Sequence, residues 1–149
     1  MDGTNWIYHY YQRITNGSEL VGRWTKLIYE YLIKGLENGS FFYDHTRAST
    51  AIEWIEKHCF HVKGALAPGH LVLEPWQKAF VSALYGIVDG NGKRQFWEAL
   101  LVVGRMDGKS LLASGIADYE FRNGGYGSEV YCVAPKLDQA AIVYDTTWQ

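Results

Sequence analysis

The fold is decided by the stretch Ala99-Leu100-Leu101-Val102-Val103-Gly104-Arg105-Met106-Asp107-Gly108-Lys109-Ser110, in which an apolar run leads into a glycine-containing turn. A continuously apolar run with paired valines is typical of a strand that is buried on both faces of a parallel sheet. The small-residue segment from Leu111 to Glu120 follows directly and predicts a helix. Strand, turn and helix in this order are the context of a phosphate-binding loop, because glycines let the backbone amides turn inward and the helix amino end adds partial positive charge.

Two side chains at the end of this turn carry the chemistry of an ATP site. Lys109 would reach the β- and γ-phosphates, and the Ser110 hydroxyl would hold Mg²⁺. The general pattern has four residues between its first glycine and the Gly-Lys pair, whereas Gly104 leaves three and Val103 takes the earlier place. The alternative is a strand-to-helix turn in which Gly-Lys-Ser occurs by chance.

A second candidate for nucleotide recognition lies upstream, in Leu73-Glu74-Pro75-Trp76-Gln77. Pro75 suits a first helical position, so we expect a helix from Trp76 to about Gly86. The Gln77 amide has a donor and an acceptor that match N6 and N7 of adenine, although a surface glutamine is the simpler interpretation. Trp76 would pack beside the base or into the core.

Before residue 70 the pattern is helical. Apolar residues recur at helical spacing from Glu19 to about Leu36, and Gly39 stands where a helix would end. Thr50 followed by Glu53 has the form of a capping box and predicts a second helix, Ala51–His58.

After residue 70 we expect strands to alternate with helices. The segment Asp89–Gly92 predicts a tight turn before the apolar run Phe96–Val103, and Val130–Val133 predicts a second buried strand. A final helix is expected from about Lys136 to Trp148. The segment Ala141–Asp145 could be taken for an apolar strand that ends in a Mg²⁺-linked aspartate, but its spacing favours a helix.

Composition excludes several classes of protein. A chain of 149 residues that is 48% hydrophobic can bury a core. Its net charge of −2 argues against the strongly basic surface that autonomous DNA-binding domains usually have. Two cysteines give no disulfide framework, which fits a reducing compartment. No apolar stretch reaches the roughly 18 residues of a membrane span, and the start is unlike a signal peptide. We therefore expect a soluble, cytoplasmic protein; its aromatic content, 15%, is concentrated in the early helices.

With these motifs the chain resembles the large subunit of tailed-phage terminases, in particular its HK97-like branch. The resemblance covers nearly the whole chain and depends on the joint occurrence of several segments in the right order. These are Leu73–Gln77, similar to the family's adenine-recognition motif, Val103–Ser110, similar to its deviant Walker A loop, Ala134-Pro135-Lys136 with Gln139-Ala140, and His61, Lys63 and Gly64.

The resemblance implies an α/β fold with a helical amino-terminal region, residues 1–70, followed by an incomplete P-loop NTPase-type (ASCE-like) parallel β–α–β core, residues 71–149. The implied cofactors are ATP and Mg²⁺, held by Gln77, Trp76, Gly104, Arg105, Met106, Asp107, Gly108, Lys109 and Ser110, with Ser110 on the metal. Lys109 and Arg105 are the catalytic candidates, and Arg105 would contact phosphate or couple hydrolysis to movement. The family's partners are viral double-stranded DNA, a small terminase subunit, the portal and a homo-oligomeric ring, in the cytoplasm of a bacterial host, with no membrane.

Two departures from the family qualify this expectation. Met106 and Asp107 replace the family's usual Lys and Asn, a local charge change of about −2 beside the triphosphate, worth on the order of 1–4 kcal/mol per charge before screening. Second, the family's acidic Walker B pair and nuclease domain do not fit within this length, so we expect absent or very slow hydrolysis. The rival hypotheses are a non-enzymatic prophage remnant or interaction module, and a helicase-like ATPase fragment.

Overall fold

The architecture is mixed α/β, and the structure describes residues 3–61 and 64–148. In this computed structural model the described elements follow in the order α1 (Trp6–Thr15), α2 (Arg23–Glu37), β1 (Phe42–Tyr43), α3 (His45–His58), α4 (Pro75–Gly86), β2 (Ile87–Val88), α5 (Lys109–Asn123) and α6 (Leu137–Trp148). Lys63, which contributes to the family resemblance, lies outside the described residues.

The chain divides into two compact units. Unit 1 contains Met1–Ile52 and Leu73–Ala99, and unit 2 contains Glu53–Val72 and Leu100–Gln149. Helix α3 therefore begins in unit 1 and ends in unit 2. The division at residue 70 into a helical region and a partial ATPase core stays a prediction.

The core of unit 1 is built from α1, α2 and α4. Asn5 caps α1, because its Oδ1 accepts hydrogen bonds from the amides of Ile7 at 3.1 Å and Tyr8 at 3.3 Å. Tyr10 of α1 meets Tyr29 of α2 edge to face, with ring centroids 5.0 Å apart, and burial raises the pKa of the Tyr29 hydroxyl. The buried set is Ile7, Tyr10, Ile14, Tyr29, Leu32, Ile33, Phe41, Ala79 and Ile87. Part of the early aromatic excess thus forms this core.

Several predicted helix ends are confirmed. Helix α2 ends just before Gly39, whose φ of +76° is the left-handed conformation that glycine tolerates at a helix end. Helix α4 begins at Pro75 and ends at Gly86, as the first-turn proline indicates. Helix α6, Leu137–Trp148, includes the segment 141–145 and so confirms its helical interpretation.

The start of α3 differs from the prediction. The helix begins at His45, six residues before the expected Ala51, so Thr50 lies inside it and the predicted capping box is wrong. Asp44 provides the cap instead, since its Oδ1 accepts the amide hydrogen of Arg47 at 3.0 Å. The longer helix also includes the buried Ala48.

A short antiparallel sheet joins β1 to β2, with Phe42 opposite Val88 and Tyr43 opposite Ile87. The turn predicted after β2 is confirmed. Asp89 Oδ1 accepts hydrogen bonds from the amides of Asn91 and Lys93, each at 2.9 Å.

The predicted buried strands are not formed. In the part of the chain that the structure describes, Phe96–Val103 and Val130–Val133 belong to no helix or strand, and neither pairs with the other. Because a strand depends on hydrogen bonds to a neighbour, the parallel β–α–β unit is absent here. Strand-like alternation nevertheless persists, because Leu101 is half-buried between the largely exposed Leu100 and Val102. None of the described helices has both the length and the apolar character that crossing a bilayer requires.

Candidate functional site

The turn from Gly104 to Gly108 delivers the chain into α5, whose first residue is Lys109. Gly108 is left-handed, with φ of 73° and ψ of 10°, a conformation that glycine adopts without strain. Met106 also has a positive φ, 69°, which is uncommon for a residue with a side chain. Left-handed residues in a turn bring successive amides to one side, the backbone geometry of an anion nest.

The side chains of the turn converge around Gly104. Lys109 Nζ donates a hydrogen bond to the Gly104 carbonyl oxygen at 3.1 Å, so the ammonium reaches back across the whole turn. A Cβ placed on Gly104 would lie only 2.7 Å from Asp107 Oδ2, which shows that the Asp107 carboxylate folds over the same glycine. A side chain at position 104 would therefore require the exposed Asp107 carboxylate to move.

The turn is open to solvent. Arg105, Met106, Asp107, Lys109 and Ser110 are all exposed, and Gly108 is half-buried. The side chains of Lys109 and Ser110 stand at the amino end of a fifteen-residue helix, where the partial positive charge favours anions. The structure thus brings the predicted phosphate and Mg²⁺ residues together in one accessible turn.

Helix α5 is anchored by polar contacts inside unit 2. The buried Ser114 hydroxyl lies within hydrogen-bond distance of two carbonyl oxygens, Ser110 at 2.8 Å in its own helix and Val143 at 3.1 Å in α6. Ser110 is thus tied through its backbone to a buried residue, while its side chain stays exposed.

A buried carboxylate on α5 provides a second anchor. Asp118 is only 7% exposed, and its two oxygens accept hydrogen bonds from Trp54 Nε1 at 2.9 Å and Arg122 Nε at 2.6 Å. The hydrogen bond with Asp118 raises the pKa of Arg122. Burial raises the pKa of the nearby Cys59 thiol to about 11, and the Asp118 charge contributes a smaller part of this rise. Sequence reasoning missed this cluster; the only local signal is the opposite charges of Asp118 and Arg122, four residues apart on one helix.

The predicted adenine residues lie in unit 1, at the start of α4. Gln77 is 6% exposed, and its Oε1 accepts the amide hydrogen of Glu74 at 2.9 Å, so it caps the helix rather than standing on the surface. Trp76 is partly buried and packs against the core of unit 1, the second of its two predicted environments. The sequence singled out Gln77 but did not predict that it caps the helix.

Comparison with known proteins shows the family to which the chain belongs. Residues 75–149, half of the chain, match the sequence model of an ATPase domain, the one described as "Terminase large subunit, ATPase domain". The chain therefore belongs to the terminase large subunit family. It is similar to the curated "Terminase large subunit" of Lactococcus phage p2 and to that of Lactococcus phage SK1, each 29% identical over 129 residues.

These alignments cover 80% of this chain but 24% of each relative, so the chain spans about a quarter of the length of the curated relatives that it matches. No solved structure matches the chain.

Proposed function

We propose that this chain is the ATP-binding part of a terminase large subunit and that the turn from Gly104 to Ser110 receives the phosphates. The observation that carries the proposal is the position of Lys109. Its ammonium bonds to the Gly104 carbonyl 3.1 Å away, across a turn with two left-handed residues at the head of a helix. A phosphate oxygen would exchange for that carbonyl as the acceptor, since the ammonium is attracted more strongly to an anionic oxygen than to a neutral carbonyl oxygen.

Four residues of the turn have proposed roles. The Gly108 amide and Lys109 would bind phosphate, the exposed Ser110 hydroxyl would ligate Mg²⁺, and Arg105 would contact phosphate or couple hydrolysis to movement. Bound Mg²⁺ would neutralise part of the phosphate charge. The donor set fits this cofactor pair in all but one residue, because the Asp107 carboxylate opposes an anion at the same turn.

Adenine selection is assigned to Gln77. Its Oε1 is engaged by the Glu74 amide, so recognition of the base would use the Nε2 donor. Trp76 contributes to this proposed site through the packing that fixes the start of α4, since it rests on the core of unit 1.

The proposal also covers how residues 71–149 are arranged. We infer that residues 71–149 form part of a P-loop NTPase-type, ASCE-like core, preceded by a helical region in residues 1–70. In this core Phe96–Val103 and Val130–Val133 would become strands on pairing with neighbours. The alternating burial around Leu101 supports this, because it is the side-chain pattern of a strand with one covered face. Such a run takes up strand geometry when a neighbouring strand supplies its hydrogen bonds.

For the complete protein we propose the role of a DNA-packaging motor. It would act on viral double-stranded DNA in the cytoplasm of the bacterial host, as a homo-oligomeric ring with a small terminase subunit and the portal. The family membership supports this role.

Thermal unfolding of the full chain with and without ATP and Mg²⁺ tests the binding proposal. Nucleotide present at about 100 times its Kd adds about 2.7 kcal/mol of stability, which for a chain of this size raises the Tm by about 5 °C or more. Lys109→Ala should abolish that rise. The matched control is Lys57→Ala, another exposed helical lysine, which should keep it. A rise that survives in Lys109→Ala, or no rise in the unaltered chain, would refute the proposal, and the second result would favour the interaction module.

A further inference from the structure

Ser114 carries a buried hydroxyl to which the proposed nucleotide site gives no role. The residue is only 3% exposed, and it lies one helical turn after Ser110, the residue proposed to hold Mg²⁺. Burying a hydroxyl costs free energy unless hydrogen bonds compensate for the water that is lost. The partners of this hydroxyl therefore indicate what Ser114 does.

The Ser114 hydroxyl connects two helices. Its Oγ lies 2.8 Å from the Ser110 carbonyl oxygen in α5 and 3.1 Å from the Val143 carbonyl oxygen in α6. A hydroxyl has a single hydrogen, so the two oxygens share it in a three-centre bond. One side chain thus joins the first turn of α5 to its neighbour α6, and the connection ends on the backbone of Ser110 itself.

Helix α5 is also held against α3 at the same level. A Cβ on Gly115 would stand 2.9 Å from Ile55 Cγ2, so the two helices are in close contact directly beside Ser114. Leu112, in the first turn of α5, is fully buried. The Ser110 side chain, in contrast, is exposed. Contacts made by the following residues of α5 therefore determine where Ser110 stands.

From these contacts we propose that Ser114 is a positioning residue for Mg²⁺: it holds the Ser110 backbone so that the Ser110 hydroxyl can ligate the metal without rearrangement. The inference rests on the proposed function. A group that fixes a metal ligand in place raises metal affinity, because less order has to be created on binding. Ser114 itself touches neither the nucleotide nor the metal and acts only through Ser110.

The surroundings of Ser114 make it suitable for substitution. In Ser114→Ala the Val143 carbonyl oxygen keeps a hydrogen bond from the Thr147 hydroxyl, which lies 2.8 Å away. The substitution therefore removes the link to Ser110 without leaving Val143 unpaired, and we expect the chain to stay folded. Urea unfolding checks this directly.

Isothermal titration of the full chain with ATP, once with Mg²⁺ and once with EDTA, tests the proposal. The quotient of the Kd without the metal and the Kd with it, called the Mg²⁺ ratio here, measures how much the metal contributes. We expect Ser114→Ala to lower the Mg²⁺ ratio at least about threefold and to leave the Kd in EDTA unchanged. Ser110→Ala should lower the ratio at least as far.

A double variant separates positioning from a general loss of structure. Because Ser114 acts through Ser110, the ratio in Ser110→Ala, Ser114→Ala should be no lower than in Ser110→Ala alone. The matched control is Thr147→Val, which removes a hydroxyl 3.5 Å from the Ser114 carbonyl oxygen in the same contact between α5 and α6. This variant should keep the Mg²⁺ ratio of the unaltered chain.

Three results would overturn the positioning role while leaving ATP binding in place. These are an unchanged Mg²⁺ ratio in Ser114→Ala, an equal loss in Thr147→Val, and additive losses in the double variant. An unaltered chain that binds ATP equally well with and without Mg²⁺ would refute the metal role of Ser110 and this inference together. An unaltered chain that binds no ATP would refute the proposed function, and the inference with it.

Discussion

Asp107 and Lys109 determine how the turn at the amino end of α5 interacts with an anion. Both side chains approach Gly104. Lys109 donates a hydrogen bond to its carbonyl oxygen, and the Asp107 carboxylate lies 2.7 Å from where a Cβ on Gly104 would stand. The two charges are opposite, so the turn attracts phosphate with one side chain and repels it with the other. The sequence predicted both residues, but not that the Asp107 side chain folds back over the turn.

Replacing the unfavourable residues should strengthen nucleotide binding. In an Asp107→Asn, Met106→Lys variant, one negative charge is lost and one positive charge is gained beside the phosphates, so we expect ATP–Mg²⁺ to bind about tenfold tighter. Isothermal titration of both proteins at the same ionic strength measures the difference. Equal dissociation constants would show that Asp107 does not oppose the bound phosphates.

A second residue-scale prediction concerns Cys59. Burial raises its thiol pKa from 9.0 to about 11, so little reactive thiolate exists at neutral pH. In a Cys132→Ser variant, which leaves Cys59 as the single cysteine, alkylation by iodoacetamide should be slow at pH 8 and should accelerate towards pH 11. Because the folded pKa lies above the unfolded one, stability should fall as pH rises from 9 to 11. The urea-unfolded protein should titrate near the ordinary value, and an equally fast native reaction at pH 8 would contradict the burial of this thiol.

At the scale of elements, a helix end was predictable where a single residue strongly favours a helix start or a helix stop. Pro75 and Gly39 each have a conformational preference that few alternatives satisfy, and the helices begin or end accordingly. The start of α3 was not predictable in this way, since Asp44 and Thr50 are both good caps. The folded molecule uses Asp44, and the choice between two good caps depends on packing that the local sequence does not show.

Helix α2 contains a glycine whose role is steric. A Cβ at Gly35 would lie 2.1 Å from Phe41 Cδ2, inside the ring that packs on the helix. Gly to Ala inside a helix ordinarily stabilises by about 1 kcal/mol, but here the clash should reverse the sign and cost about 2 kcal/mol net. Urea unfolding measures this, and the double variant Gly35→Ala, Phe41→Leu should recover part of the loss. A Gly35→Ala protein more stable than the parent would show that Phe41 moves aside freely.

At the scale of the whole molecule, the sequence predicted the turn and its helix but not the absence of the strands before and after them. The apolar runs Phe96–Val103 and Val130–Val133 are strand-like in composition, yet a strand is completed by a neighbour that the run itself does not encode. Contacts between residues that are distant in sequence could not be predicted either. The hydrogen bond from Trp54 to Asp118 joins positions 64 residues apart, and no local pattern predicts it.

The central claim is that this chain binds ATP through Lys109, and isothermal titration of the full chain with ATP and Mg²⁺ tests it most directly. We predict one nucleotide per chain, a Kd raised at least about tenfold by Lys109→Ala, and an unchanged Kd in Lys57→Ala. No binding at millimolar ATP, or the same Kd in Lys109→Ala as in the unaltered chain, would contradict the account.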